Sequence, residues 1–163
     1  DSIKVAGDVF TNDILQYLRQ QHNIRVGQIT AEKIKIAIGA VIPDLDEGEP
    51  EPCAITGPNI MTAHPVHANI TYQEIAHCLD KSVARIESGI LHVLEQTPPE
   101  LYSDIVENGI HLAGGGSLLR GLAKRLTEKV NIPFYVAKDP LRAVARGTCA
   151  ALKNTDNYSF LMR

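Results

Sequence analysis

The chain has 163 residues, with 16 basic and 19 acidic side chains for a net charge of -3, and is 44% hydrophobic and 21% charged. That length suits one ordinary domain, or a core with a small insertion, and the charge balance lacks the basic excess of a nucleic-acid footprint. There is no apolar run of the roughly eighteen residues a transmembrane helix needs, and Asp1-Ser2-Ile3-Lys4-Val5-Ala6 has no signal-peptide apolar core. The chain also lacks a starting methionine and reads as a piece of a longer one. Cys53, Cys78 and Cys149 are widely spaced without a C-x-x-C, which suits a reducing cytosol. His64 and His67, with Cys53 upstream, are the best metal pair. Pro65 interrupts them and no fourth ligand follows at a zinc-like spacing, so no metal site is assigned.

Ile3-Lys4-Val5 reads as the end of a strand. Phe10, Ile14 and Leu18 then recur every four residues, so Val9 to about Gln21 is predicted as an amphipathic helix. Thr30 is a good N-cap for a second helix, with Glu32 near the positive end of its dipole and Ile34, Ile38 and Val41 as its buried stripe. Residues 43–52 turn acidic and proline-rich: an exposed loop, read as a solvated turn before a cation site. Cys53 to Met61 is a short strand bent at Gly57-Pro58, and Val66, Ala68 and Ile70 alternate as a second.

Thr71-Tyr72-Gln73-Glu74 is a capping box opening the longest helix, with Ile75, Leu79, Val83, Ile86, Ile90 and Leu94 on one stripe. Thr97-Pro98-Pro99-Glu100 repeats the start signal. Asn108-Gly109 is a turn, and Ile110 to Ala113 a short buried strand. After Gly114-Gly115-Gly116, Ser117 is predicted to cap a helix bearing Leu119, Leu122, Leu126 and Val130. Phe134 to Ala137 is a strand. Asp139-Pro140 is expected to start a last helix with Leu141, Val144, Thr148 and Leu152 inward. Residues beyond Asn154 read as a tail, with Tyr158, Phe160, Leu161 and Met162 available to dock. The alternation of strand and helix in the back half implies a parallel α/β sheet with right-handed crossovers.

The sharpest chemical feature is strand, triple glycine, Ser117, helix. Glycines allow a ligand close to the backbone, and a helix N-terminus presents unpaired N–H groups. Read alone, the same residues fit a tight turn packing helix on strand better than a ligand site. No G-K-[ST] follows, so this is not a Walker A loop, and Leu118-Leu119 rule out a nucleophile elbow. Glu32 and Lys35 lie three apart on one helix face; alone they are a surface ion pair. No paired carboxylates or local Ser-His-Asp set suggest a catalytic residue.

Several motifs in order carry a resemblance. Gly7-Asp8-Val9-Phe10 with Ile14 and Tyr17-Leu18, Thr30-Ala31-Glu32-Lys33-Ile34-Lys35 ending at Ile38-Gly39, and Pro98-Pro99-Glu100-Leu101 with Asp104-Ile105 form the first three. Gly109 through Arg120, and Ala137-Lys138-Asp139-Pro140-Leu141 with Val144-Ala145-Arg146-Gly147, complete them. Together, over about Gly7 to Leu152, they resemble the MreB family of bacterial actin-like rod-shape ATPases, in its C-terminal half. Lys33 stands where that family often has arginine, and Cys149 where glycine or alanine is common.

The resemblance implies an actin-like ATPase domain of the ribonuclease H-like α/β class, with an inserted small α+β subdomain. On that reading residues 1–8 end a strand of the large subdomain and 9–70 form the inserted one. Residues 71–154 form the large α/β subdomain, and 155–163 a tail. It also implies ATP with Mg2+ in the full-length protein. Glu32 and Lys35 would lie on the ribose and adenine side, and Gly114, Gly115, Gly116 and Ser117 beneath the nucleoside. The phosphate hairpins, the magnesium-associated acid and the membrane-inserting loop would lie in the missing half. The whole protein is then expected to be a slow ATPase that self-associates into filaments, cytoplasmic and membrane-associated as filaments, with cell-shape membrane-protein partners and no nucleic acid. A chaperone-type or sugar-kinase-type ATPase of the same fold is the alternative.

Overall fold

The structure is a computed structural model that describes residues 2–46 and 48–153. Residues 155–163, expected as a tail, lie outside the described residues. Helix α1 spans Gly7–Gln21 and buries Phe10, Ile14 and Leu18 along the four-residue repeat that predicts it. The segment before it, expected to end a strand, is irregular, although Val5 reaches the core. Helix α2, Gln28–Ile38, begins two residues before the predicted cap. The Gly27 carbonyl accepts from the Thr30 and Ala31 amides, so the first turn has already closed and Thr30 lies inside the helix. Ala31, Ile34 and Ile38 are buried, and Val41 continues the stripe beyond the helix end.

Strands β1 (Cys53–Pro58) and β2 (Pro65–Ile70) pair antiparallel with Cys53 opposite Ile70 and Ile55 opposite Ala68. Strand β1 stops short of the expected Met61, because the Asn59 side-chain oxygen captures the amides of Met61 and Thr62 into a turn. The acidic loop before β1 is strapped down: Asp46 meets Lys124 at 2.7 Å, the Tyr72 hydroxyl donates to Glu49 at 3.0 Å, and Leu45 packs partly on the core.

Helix α3, Tyr72–Glu95, opens on a complete capping box. Thr71 accepts from the Glu74 amide, and Glu74 accepts from the Thr71 amide at 2.8 Å. Its stripe is fully buried at Ile75, Leu79 and Val83 and only partly at Ile86 and Ile90. Helix α4, Pro99–Asn108, follows with proline at its first position. The Thr97 hydroxyl does not cap it; it donates back to the Val93 carbonyl, closing α3.

Strand β3 (Ile110–Leu112) pairs parallel with β4 (Phe134–Val136), Ile110 opposite Phe134, and α5 (Leu122–Val130) crosses between them. A short 3-10 turn, Gly115–Leu118, separates the glycines from α5. Ser117 therefore caps nothing: its hydroxyl donates to the Gly114 carbonyl at 2.7 Å, and Gly121 at φ +78° is the residue before α5. The predicted stripe survives, with Leu119, Leu122 and Leu126 buried. Strand β3 is only half-buried, not buried as expected. Helix α6, Ala143–Lys153, starts later than Asp139-Pro140. The Pro140 carbonyl accepts the Gly114 amide and so ties that segment to the glycine turn. Its apolar face is not inward: Leu141, Val144 and Leu152 are exposed, since nothing among the described residues covers them.

One hydrophobic core runs from Val5 to Phe134 and includes α1, α2, α3 and α5. Thus α1 packs on α2 and on α3 alike, across the boundary expected at residue 70.

Candidate functional site

Helix α2 and the glycine turn face each other across a cleft of about 490 Å³. Glu32, Lys35 and Ile36 form one wall; Gly115, Gly116, Leu118 and Leu119 form the other, and Gly7, Asp8, Phe10 and Leu141 complete the lining. Four of the six residues singled out from the sequence thus share one cavity: Glu32, Lys35, Gly115 and Gly116. Gly114 and Ser117 do not line it. Gly114 sits behind the turn at φ +84°, ψ 171°, a conformation open essentially to glycine alone. Ser117 is buried, with its hydroxyl turned back onto Gly114.

The two working glycines differ. A Cβ on Gly116 would meet nothing within 4 Å, so the turn is bare at that point. A Cβ on Gly115 would come within 3.3 Å of the Leu141 side chain. The left-handed backbone requirement belongs to Gly114, and Gly115 shares none of it.

The helix wall is more elaborate than an ion pair. Lys35 Nζ lies 2.7 Å from Glu32 Oε2, 3.0 Å from Thr11 Oγ1 and 2.9 Å from the Gly7 carbonyl. An ammonium has three protons, and here three acceptors take them. Lys35 therefore has no donor left for a ligand in this arrangement; it offers its aliphatic stem and fixes Glu32. Both described bonds to Glu32 land on Oε2, so Oε1 has no partner among the described hydrogen bonds, on a side chain that is 45% exposed. The Lys35 hydrogen bond, then the Thr11 hydroxyl, holds the Glu32 carboxyl below the usual carboxylate range.

Thr11 and Asp8 were missed from the sequence. They come to α2 only through the packing of α1, and no local spacing announces that meeting. With Lys35 neutralised by Glu32, Asp8 makes the cleft net acidic. That polarity repels phosphate and suits a neutral, hydroxyl-bearing group. A cavity of this size, with few polar groups over apolar walls, has the character of a small-molecule site. Among the described residues, no three His, Cys, Asp or Glu side chains are grouped to hold a metal.

Comparison with known proteins gives this cleft a context. The family model for MreB/Mbl protein matches residues 1–159. The cell shape-determining protein Mbl of Bacillus subtilis (strain 168) is 39% identical over 155 residues, 95% of this chain and 46% of its own length. The cell shape-determining protein MreB of Escherichia coli (strain K12) is 40% identical over 157 residues, 96% of this chain and 44% of its own length. The chain thus spans less than half the length of these curated relatives. Among solved structures, MreB5 of Spiroplasma citri bound to ADP superposes with a TM-score of 0.88 at 37% identity, over 95% of this chain and 46% of that one. The same protein bound to AMPPNP gives a TM-score of 0.90 at 36% identity, over all of this chain and 48% of that one. The MamK double helical filament, at 22% identity and a TM-score of 0.67 over 85% of this chain, shares the fold. The fold is therefore an actin-like α/β one, and the chain belongs to the MreB/Mbl family.

Proposed function

We propose that this chain supplies the nucleoside-binding wall of an actin-like cytoskeletal ATPase, and that its full-length protein forms filaments that maintain rod cell shape. The observation that carries this reading is the cleft itself, with a carboxylate oxygen presented on one wall and bare glycine backbone on the other. ATP or ADP would lay its base against Ile36, Leu118 and the Lys35 stem, and its ribose hydroxyls would donate to Glu32 Oε1. The phosphates and Mg2+ would be held by the rest of the protein, since the acidic cleft here does not suit them. Gly115 and Gly116 would contact the nucleoside, whereas Gly114 and Ser117 would shape the turn.

That this is the C-terminal half rests on the order of motifs; the share of the relatives that is covered, 46%, does not bear it out. The division at residues 8, 70 and 154, a cytoplasmic location, and membrane association through other parts of the protein belong to the same proposal. Family membership removes the case for a chaperone-type or sugar-kinase-type ATPase.

The test is titration of the full-length protein with a fluorescent ADP analogue, comparing wild type with Glu32→Ala. The wild type should bind with saturation. The variant should lose about tenfold or more, the scale of one hydrogen bond to a charged group. A full-length protein that binds neither ADP nor ATP would end this reading.

A further inference from the structure

Both walls of the cleft run directly into one small junction. Helix α2 continues into Gly39-Ala40-Val41, and the glycine turn continues into Leu119-Arg120-Gly121. The two segments form a parallel bridge between Ala40 and Arg120. The Arg120 amide donates to the Gly39 carbonyl at 3.0 Å, and the Val41 amide donates to the Arg120 carbonyl at 3.0 Å. The junction is closely packed: a Cβ on Gly39 would lie 2.8 Å from the Leu119 side chain. This junction is the direct backbone connection between the two walls, beside the shared core that packs α2 and α5 on α3.

Two backbone hydrogen bonds make a weak joint unless something holds it. Arg125, on α5, is placed to do so. Its Nη1 donates to the Val41 carbonyl at 2.9 Å. Its Nε reaches Glu87 Oε1 at 2.6 Å, and its Nη2 reaches Asp80 Oδ1 at 2.8 Å. Glu87 and Asp80 stand two turns apart on α3, and Glu87 is buried at 6% exposure. The planar guanidinium fork thus makes three bonds at once: two across to the long helix, at Glu87 and Asp80, and one onto the end of the bridge, at Val41. A lysine has the charge but a single nitrogen, which cannot stand at the three positions from which Nε, Nη1 and Nη2 of Arg125 reach Glu87, Val41 and Asp80.

We infer that Arg125 is a positioning residue for nucleotide binding: it locks the 39–41 segment onto 119–121 and thereby fixes the spacing between Glu32 and the glycine turn. The inference rests on the nucleotide reading of the cleft, and Arg125 itself touches no ligand. The bridge is the hinge of the cleft, and the Arg125–Glu87–Asp80 cluster is its clamp.

The test uses the full-length protein with Arg125→Lys, and two readouts. Hydrogen exchange at the Val41 and Arg120 amides, the two bridge donors, should speed up in the variant, while amides in the middle of α1 stay protected. Affinity for fluorescent ADP should fall about three- to thirtyfold, the range seen when a coupling residue is altered, with most of the change in dissociation rate. Unchanged amide exchange, or unchanged affinity in a variant that merely melts at lower temperature, would overturn the inference. A wild type that fails to bind ADP would instead remove the nucleotide reading beneath it, and the wild-type titration tells the two failures apart. If Arg125→Lys does not fold, Asp80→Ala decides, because Asp80 is the more exposed anchor and its loss leaves Arg125 paired with buried Glu87. The same two effects, smaller, are expected there, and the absence of either overturns the clamp.

Discussion

Thr11 and Glu32, 21 positions apart in the chain, meet through a 2.6 Å hydrogen bond that fastens α1 to the helix wall of the cleft. Thr11 Oγ1 also lies 2.9 Å from the Gly7 carbonyl, but it has one proton to give. The carboxylate is the nearer and the charged acceptor, so the Thr11 proton goes to Glu32 and the Thr11 lone pair receives Lys35. Thr11→Val keeps the shape and removes both roles in a buried place. It should lower stability by about 1–2 kcal/mol, read as a shift of the urea midpoint at constant slope. A midpoint equal to wild type would mean that the network does not hold α1 to α2.

The lowered Glu32 pKa makes a pH prediction whose sign is fixed. Folding depresses this pKa through Lys35 and then Thr11. The unfolded chain therefore takes up the proton first as pH falls. The stabilisation is complete above the ordinary glutamate value, about 4.3, and is lost as pH drops through the lower folded value. Glu32→Gln removes this contribution, so the stability difference between wild type and variant should be constant near neutrality and shrink below about pH 4.3. Denaturant melts of both proteins from pH 7 down to about pH 3.5 check it. A gap that widens in acid would reverse the assignment.

The glycine turn separates backbone need from ligand space. Gly114→Ala should cost about 1–3 kcal/mol, because its backbone lies in a region essentially closed to other residues. Gly116→Val adds a side chain into open space, and its stability should stay within about 0.5 kcal/mol of wild type. If the nucleoside lies on this turn, Gly116→Val should still abolish ADP binding by the full-length protein. Normal binding by a stable Gly116→Val variant would leave the turn a purely structural one.

What was legible in the sequence follows from how local each signal is. The Thr71–Glu74 capping box involves two residues of one turn, and the fold realises it in full. The Glu32–Lys35 pair is three residues apart on one helix, and its meeting follows from helical geometry. The stripes of α1, α3 and α5 were readable because burial imposes a fixed period. Thr11 was not readable as part of the cleft, because only the packing of α1 on α2 brings it there. Ser117 misled for a related reason: it has the composition of an N-cap, but the chain closes a 3-10 turn and spends three more residues before α5 begins. The outward face of α6 reflects a pattern that anticipates cover which the described residues do not provide.

The same geometry predicts that this chain alone neither hydrolyses ATP nor holds it firmly. Phosphoryl transfer depends on cations and backbone donors gathered around the γ-phosphate and on a group that orients the water. Among the described residues that line the cleft, the only cation, Lys35, has all three protons engaged by Glu32, Thr11 and Gly7. With Glu32 offset by Lys35, Asp8 leaves the cleft net negative, which opposes phosphate. On the proposed reading, what remains is a ribose contact at Glu32 and apolar surface for the base, on a cleft open to water. A polar contact there contributes about 1 kcal/mol or less. Binding by the chain alone should therefore be millimolar or weaker, about -4 kcal/mol at best. Phosphate release should be measured with ATP and Mg2+ for the chain and for its full-length protein side by side. The full-length protein should turn over slowly and in step with filament formation, while the chain should match the buffer blank. Equal turnover by both would place the chemistry among residues that here serve only to hold the fold, and the assignment of this chain to the nucleoside side of a shared site would fall.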